Sequence, residues 1–305
     1  MRMKSRQKQF AEAHDIRLES QTGEAEGFGT LMRRMARDNK LAVLSAIVIL
    51  LMVLAAVFAP FLSKYDPAYM DLMKRLSAPS AEHLFGTDEA GRDILARTLY
   101  GARVSLLVGV VPTVVSMLIG AVLGAVSGFA GGFADTLIMR IADIMLAFPS
   151  MLLAMVIMYV LGDGLINVFL TLAIVNWASV ARIVRSETLR LKETEYVEAA
   201  RVIGVRKAVI IFRHILPNCI PTLIVLFTLN VPSAILTESS LSFLGLGIQA
   251  PDASWGLMVN TGRQFLYNAP WLSLIPSAAI MIIVLAFNFL GDGLRDVLDP
   301  HQKNR

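Results

Sequence analysis

Six long stretches without a charged side chain decide what this chain can fold into. A helix needs about 20 apolar residues to cross the hydrocarbon of a bilayer, since each residue adds about 1.5 Å to a layer about 30 Å thick. Leu41 to Leu62 supplies 22 such residues. Val104 to Ala134 is uncharged, with an apolar part ending near Val126. Further runs place spans at about 144–162, 164–181, 215–237 and 269–291, so six spans are expected from 41–62 onward. The Gly162-Asp163-Gly164 turn separates the third from the fourth. Ser239 to Pro251 is uncharged but only 13 residues long, which suits a re-entrant or interfacial loop better than a seventh crossing.

Composition agrees. Of the 305 residues, 55% are hydrophobic and only 17% charged, against about 25% charged in an average soluble domain. The chain reads as an all-α integral membrane protein, which excludes a disordered chain and, despite a formal charge of +4, a nucleic-acid binder. The single cysteine, Cys219, has no partner for a disulfide or a zinc site.

Basic residues set the expected orientation. With the N-terminus inside, the inner segments hold nine Lys and Arg in 1–40, Arg140, eight in 182–214 and three after 291, whereas the outer ones hold six in 63–103 and Arg263. The positive-inside rule therefore puts both termini in the cytoplasm. The expected organisation is a cytoplasmic tail over 1–40, a membrane domain over 41–300 and a short tail over 301–305. An apolar stretch that begins only at Leu41 and has the length of a span does not resemble a signal peptide. Within the first tail, Leu31, Met32 and Met35 with Arg33, Arg34 and Arg37 fit either an interfacial helix or plain positive-inside anchoring.

The chemistry is sparse. There is no GxxxxGK[ST] phosphate loop and no HExxH, and His14, His83, His214 and His301 all fall outside the span interiors. Gly245 to Ala250 matches GxGxxA by spacing but does not lie between a strand and a helix. No catalytic residue is assigned, and no cofactor or metal site. Arg140 and Asp143, three apart at the start of the third span, could pair on one helix face. Ion-coupled secondary transporters, the main rival class, call for buried mid-span acids or histidines and inverted repeats, and neither is evident. An intramembrane hydrolase or a scaffold is the third class. Pro112, Pro149, Pro217, Pro221, Pro232 and Pro276 interrupt the spans, and Gly120, Gly124 and Gly128 form two GxxxG steps whose partner helix the spacing does not name.

Between the fourth and fifth spans, Arg182 to His214 is the most informative stretch. Thr194 suits an N-cap, Glu195 and Glu198 the first turn, and Tyr196, Ala199, Ala200 and Ile203 recur at helical spacing. Gly204 is placed to end that helix in a left-handed conformation, and a second helix from Arg206 to Leu216 runs on into the membrane. The outcome is either a compact knob projecting from the bilayer or an amphipathic loop helix lying on the lipid surface.

Glu198-Ala199-Ala200, Gly204 and Leu216-Pro217 resemble the EAA motif of ABC-importer permeases. Phe85-Gly86-Thr87-Asp88, Gly91-Arg92-Asp93, the run Leu241 to Gly247, Trp255-Gly256, and Leu290 to Asp296 with Asp299-Pro300 resemble the peptide/nickel branch of that family. They point to its DppC/OppC-type subunit and cover the chain from about residue 30. The resemblance implies a type I importer architecture in the bacterial inner membrane, with a DppB/OppB-type second permease, two cytosolic ATPase subunits or domains that hold ATP and Mg, and a periplasmic or lipid-anchored binding protein. It implies that Glu198, Ala199, Ala200 and Gly204 form the coupling helix seated on the ATPase. It also implies that the segment holding Asp88, Arg92 and Asp93, on an expected helix start, faces the binding protein. Peptides, glutathione, nickel chelates, sugars or opines are the cargoes of such a branch.

Overall fold

The computed structural model describes residues 39–249 and 252–298. The basic tail, its Leu31 to Arg37 segment, Asp299-Pro300 and residues 301–305 lie outside that range. The described residues form an all-helical bundle, with one isolated antiparallel bridge between Thr87 and Asp93. The helices are α1 (Lys40–Val57), α2 (Ala59–Leu62), α3 (Ile94–Ala130), α4 (Gly132–Ala147), α5 (Ser150–Leu161), α6 (Leu165–Leu191), α7 (Glu195–Val202), α8 (Lys207–Ile210), α9 (Leu216–Phe243), α10 (Trp255–Gly262) and α11 (Trp271–Leu298). Five runs are long and apolar enough to cross a membrane: α1, α3, α6, α8 through α9, and α11. The pair α4 and α5 makes a sixth if it counts as one broken span.

The third span, expected over 144–162 with Pro149 interrupting it, is a pair of helices. Its two helices meet at 94° around Phe148-Pro149. Proline removes the N–H that would continue the ladder and pushes the residue before it out of the helical region, and Phe148 sits at φ −90°, ψ 140°. The stretch 239–243 is not loop, because α9 continues to Phe243 before the chain turns at Gly245 with φ +82°. Between α8 and α9 a π-helical turn over Ile211–Ile215 keeps the rod unbroken from Lys207 to Phe243. The turn sits directly before Pro217, which has no N–H to offer the preceding carbonyls. Pro112 is buried inside the unbroken α3, so that proline does not end its helix.

The chain alternates between two faces of the bundle. One, here the clasp face, carries residues 63–93, the turn from α5 to α6, and α10. The other, the knob face, carries the α3–α4 junction, α7 and α8. α3 and α6 form the central pair. Gly120, Gly124 and Gly128 let their backbones meet: a Cβ on Gly120 would fall 2.7 Å from the Trp177 carbonyl oxygen, and one on Gly128 2.8 Å from Thr188 Cβ. The GxxxG partner is thus α6 of the same chain, where small residues permit close approach. Cys219 is fully buried in α9 among the residues that pack beneath the knob.

α1 stands at the edge, exposing Leu41, Leu44, Leu50 and Leu51 as a lipid-facing helix would. Its last carbonyls would be left open where α2 begins at Ala59-Pro60. Arg103 of α3 closes them, donating to the carbonyls of Ala56 and, at 2.9 Å, Val57. A guanidinium there also opposes the negative end of the helix dipole.

Candidate functional site

On the knob face, α7 is eight residues long and ends as its sequence requires. Gly204 takes φ +79°, Val205 N–H donates to the Ala200 carbonyl at 3.0 Å and Gly204 N–H to that of Arg201 at 3.1 Å. These two bonds form the Schellman closure, which needs a left-handed residue at Gly204. Nothing lies within 4 Å of where a Cβ would stand there, so conformation, not crowding, calls for glycine. Thr194 precedes the helix as expected. Its hydroxyl, however, donates back to the Leu191 carbonyl at 2.6 Å and does not cap the first turn.

The face that α7 buries differs from the small-residue, apolar face that its spacing predicts over Tyr196, Ala199, Ala200 and Ile203. Val197 and Ala200 point inward, against a cluster that includes Leu191, Ile210 and Ile211. Tyr196, Ala199 and Ile203 point outward with Glu198, and Val202 and Ile203 are 85% and 79% exposed. Of the expected apolar face only Ala200 is inside. Packing against the π-helical turn selects the inner face, and helical spacing alone does not reveal that neighbour. Beneath the knob a cavity of about 600 Å³ is lined by Lys192, Glu198, Arg201, Lys207 and Phe129, with the Arg201 guanidinium 5.4 Å above the Phe129 ring.

Ion pairs bind α4 across the same face. Arg185 grips Asp135 with a two-pronged contact whose Nη2–Oδ2 arm is 2.6 Å, and the Ser127 hydroxyl donates to the same carboxylate. Asp143 pairs with Arg182 at 2.7 Å, not with Arg140 as the spacing suggested.

On the clasp face the three residues expected to meet a binding protein are buried: Asp88 is 3%, Arg92 8% and Asp93 5% exposed. They are committed to each other and to their own turn. Asp88 Oδ2 accepts from Arg92 Nε at 2.6 Å and lies 3.5 Å from Arg97 Nε, while Asp88 Oδ1 accepts from the N–H groups of Ala90 and Arg92. Arg92 also reaches Glu89 at 2.9 Å. Asp93 caps α3, accepting from Ala96 N–H at 2.7 Å, and holds His83 Nδ1 at 2.9 Å. Only Asp93 belongs to a helix start, because Asp88 and Arg92 form the turn before it. These three side chains are spent on the turn before α3 and on its first N–H groups, which leaves little of them at the surface.

One buried group escaped the sequence reading. Glu238 follows the expected end of the fifth span, yet α9 carries it one turn further, and it is 0% exposed. Its Oε1 accepts from the hydroxyls of Ser242 at 2.7 Å and Ser254 at 2.9 Å. An uncharged run ending just before an acid looked like a span border, and only the serines at 242 and 254 signalled otherwise.

The bundle is similar to a chain of the MetNI methionine ABC transporter in an inward-facing conformation, with TM-score 0.55 and 20% identity over 66% of this chain and 96% of that one. That likeness and the spans define the class: a multi-pass helical membrane protein with the fold of an ABC-transporter permease. Residues 120–304 match the family described as binding-protein-dependent transport system inner membrane component, and residues 27–79 match the N-terminal TM domain of oligopeptide transport permease C. The dipeptide transport system permease protein DppC of Alkalihalophilus pseudofirmus is 47% identical over 271 residues, 89% of either chain. The oligopeptide transport system permease protein OppC of Bacillus subtilis is 46% identical over 87% of either chain. The glutathione transport system permease protein GsiD of Shigella flexneri is 45% identical over 88% of this chain and 89% of that one. The chain belongs to the family of inner-membrane permease components of binding-protein-dependent ABC importers.

Proposed function

We propose that this permease moves di- or oligopeptides across the bacterial inner membrane, driven by ATP hydrolysed on partner chains. The peptide cargo is favoured by the DppC and OppC relatives at 47% and 46% identity. Glutathione, itself a short peptide, is the second reading, favoured by GsiD at 45%.

The observation that carries the mechanism is α7. An eight-residue helix that buries Val197 and Ala200 beneath it while holding Val202 and Ile203 in the open leaves an apolar tip without a cover among the described residues. Isolated apolar residues on a surface need no explanation, but a helix tip fixed by a Schellman turn beside a charged cavity suits a docking element. In the proposal the tip seats in a cytosolic ATPase. Glu198 and Ala199 lie on the contact side, Ala200 anchors the helix from within, and Gly204 sets its angle to α8 and α9. ATP and Mg are then bound by that partner and not by this chain. The knob face is cytoplasmic, as the Lys and Arg excess there favours. The clasp face meets a periplasmic binding protein, and a DppB/OppB-type permease completes the pathway.

The test is uptake in cells carrying Gly204→Trp. A side chain at φ +79° costs about 1–2 kcal/mol and reorients the tip, so the protein should stay in the membrane while ATP-driven uptake of a labelled tripeptide is lost. Wild-type uptake by that variant would refute the coupling role. Competition between the tripeptide and glutathione separates the two cargo readings.

A further inference from the structure

We propose that Glu238 is a positioning residue that locks α10 to the far end of α9, so that movement begun at the knob is delivered to the clasp face. This rests on the reading that the ATPase docks on α7.

α9 leads out of the knob without a break, since the rod runs from Lys207 to Phe243. Glu238 lies one turn before its end and faces inward, fully buried. Its partners are hydroxyls and not cations: Ser242 one turn on, Ser254 at 2.9 Å and, more distantly, Ser239 at 3.5 Å. A carboxyl group held away from water without an opposite charge is costly, so burial here needs a compensating set of donors.

Ser254 is the informative partner. It is the N-cap of α10, and its oxygen accepts from Leu257 N–H at 3.1 Å while its proton goes to Glu238. One hydroxyl therefore joins the first turn of α10 to the carboxyl of α9. The neighbouring backbone is shaped around that junction. A Cβ on Gly256 would stand 2.6 Å from Ser239 Cα and 3.1 Å from Glu238 Oε2, and one on Gly247 2.7 Å from Ser242 Cα. This accounts for Gly247 and Gly256 together, whereas Gly245 answers to its φ of +82° and not to crowding. The other side of the same turn is held by α3: Trp255 N–H donates to the Ser105 hydroxyl and Trp255 Nε1 to the Thr98 carbonyl, both at 3.0 Å. The start of α10 thus bridges two spans, and its polar tie to α9 is the Glu238–Ser254 bond.

The test uses the assembled importer in liposomes, with its binding protein loaded from a tryptic digest of casein. ATP hydrolysis is measured with and without that protein, beside peptide uptake. Glu238→Ala should leave assembly and basal hydrolysis intact while stimulation by the loaded binding protein and uptake fall at least tenfold. Glu238→Gln keeps an acceptor for both serines and should recover most of both. Ser254→Ala, which leaves the Glu238–Ser242 bond in place, should show the same uncoupling in milder form. Wild-type stimulation in Glu238→Ala and Ser254→Ala would overturn the proposal. So would equal loss of basal hydrolysis and assembly in both, or a Gln variant as defective as Ala. If the unaltered complex hydrolyses no ATP, it is the permease-coupling reading that falls, independently of Glu238.

Discussion

The clasp and the knob have opposite ways of being finished. On the clasp face Asp88, Arg92, Asp93, Arg97 and His83 are charged or polar and nearly sealed from water, and each pairs with a neighbour among them, although the buried Nε2 of His83 has no partner among the described residues. On the knob face Val202 and Ile203 are apolar and open. The first region carries its own solution to burying charge, whereas the second has apolar surface that the described residues do not cover. A segment satisfied from within holds its shape by itself. A segment satisfied only from outside is where a partner can alter the energy of the whole.

The contrast can be tested by damaging each side. The largest effect is expected from Asp88→Ala, which leaves Arg92 and Arg97 buried without their shared carboxylate. Breaking a buried pair by removing one partner costs about 3–5 kcal/mol, so the yield of folded protein in membranes should collapse. Next comes the scaffold common to both faces. Gly124→Val would drive a side chain into the Ala181 carbonyl and to within about 3 Å of the Arg185 nitrogen. Overpacking of this kind costs about 1–3 kcal/mol and should lower the melting temperature in detergent.

Val202→Asp sharpens the comparison from the other side. Substitutions at an exposed position away from special features usually stay within about 0.5 kcal/mol, so melting should hardly change while ATPase partners fail to co-purify. If the partners still co-purify, the knob does not dock through that tip. The smallest effect belongs to the exposed Lys74–Glu82 pair. The Lys74 hydrogen bond holds the Glu82 carboxyl below its ordinary range, and the Glu82 hydrogen bond holds the Lys74 ammonium above its own. A depressed carboxylate pKa gives a contribution that is lost only as pH falls through the folded value. A raised ammonium pKa gives one that is lost only as pH rises through its folded value. Lys74→Ala should therefore leave the pH dependence of melting unchanged between about pH 5 and 10.

The same contrast explains what could be read before the fold was in view. The spans were legible because a bilayer demands an unbroken apolar length, and the knob because Glu195, Glu198 and Gly204 obey local rules of helix start and stop. What depended on a distant neighbour was hidden. Asp143 had Arg140 nearby on its own helix but bonds Arg182 on α6, and Asp88 draws in Arg97 from beyond the turn that it caps. The GxxxG steps announced close packing without naming α6. Pro149 announced a disturbance but not its 94° angle, which the packing of α4 and α5 on α6 decides. Glu238 looked like a border marker, since a lone acid after an apolar run is ordinarily where a span leaves the membrane.

The seclusion of Cys219 has a practical corollary. The only thiol in the chain lies out of reach of water-borne reagents, at 0% exposure. Labelling chemistry therefore starts from a silent background without any replacement. A cysteine introduced at Val202 and another at Tyr267, which is fully open in the segment before α11, would each report alone. A membrane-impermeant maleimide applied to intact and then to opened vesicles would tell which of the two points outward, converting the orientation inferred from charge into a direct optical reading.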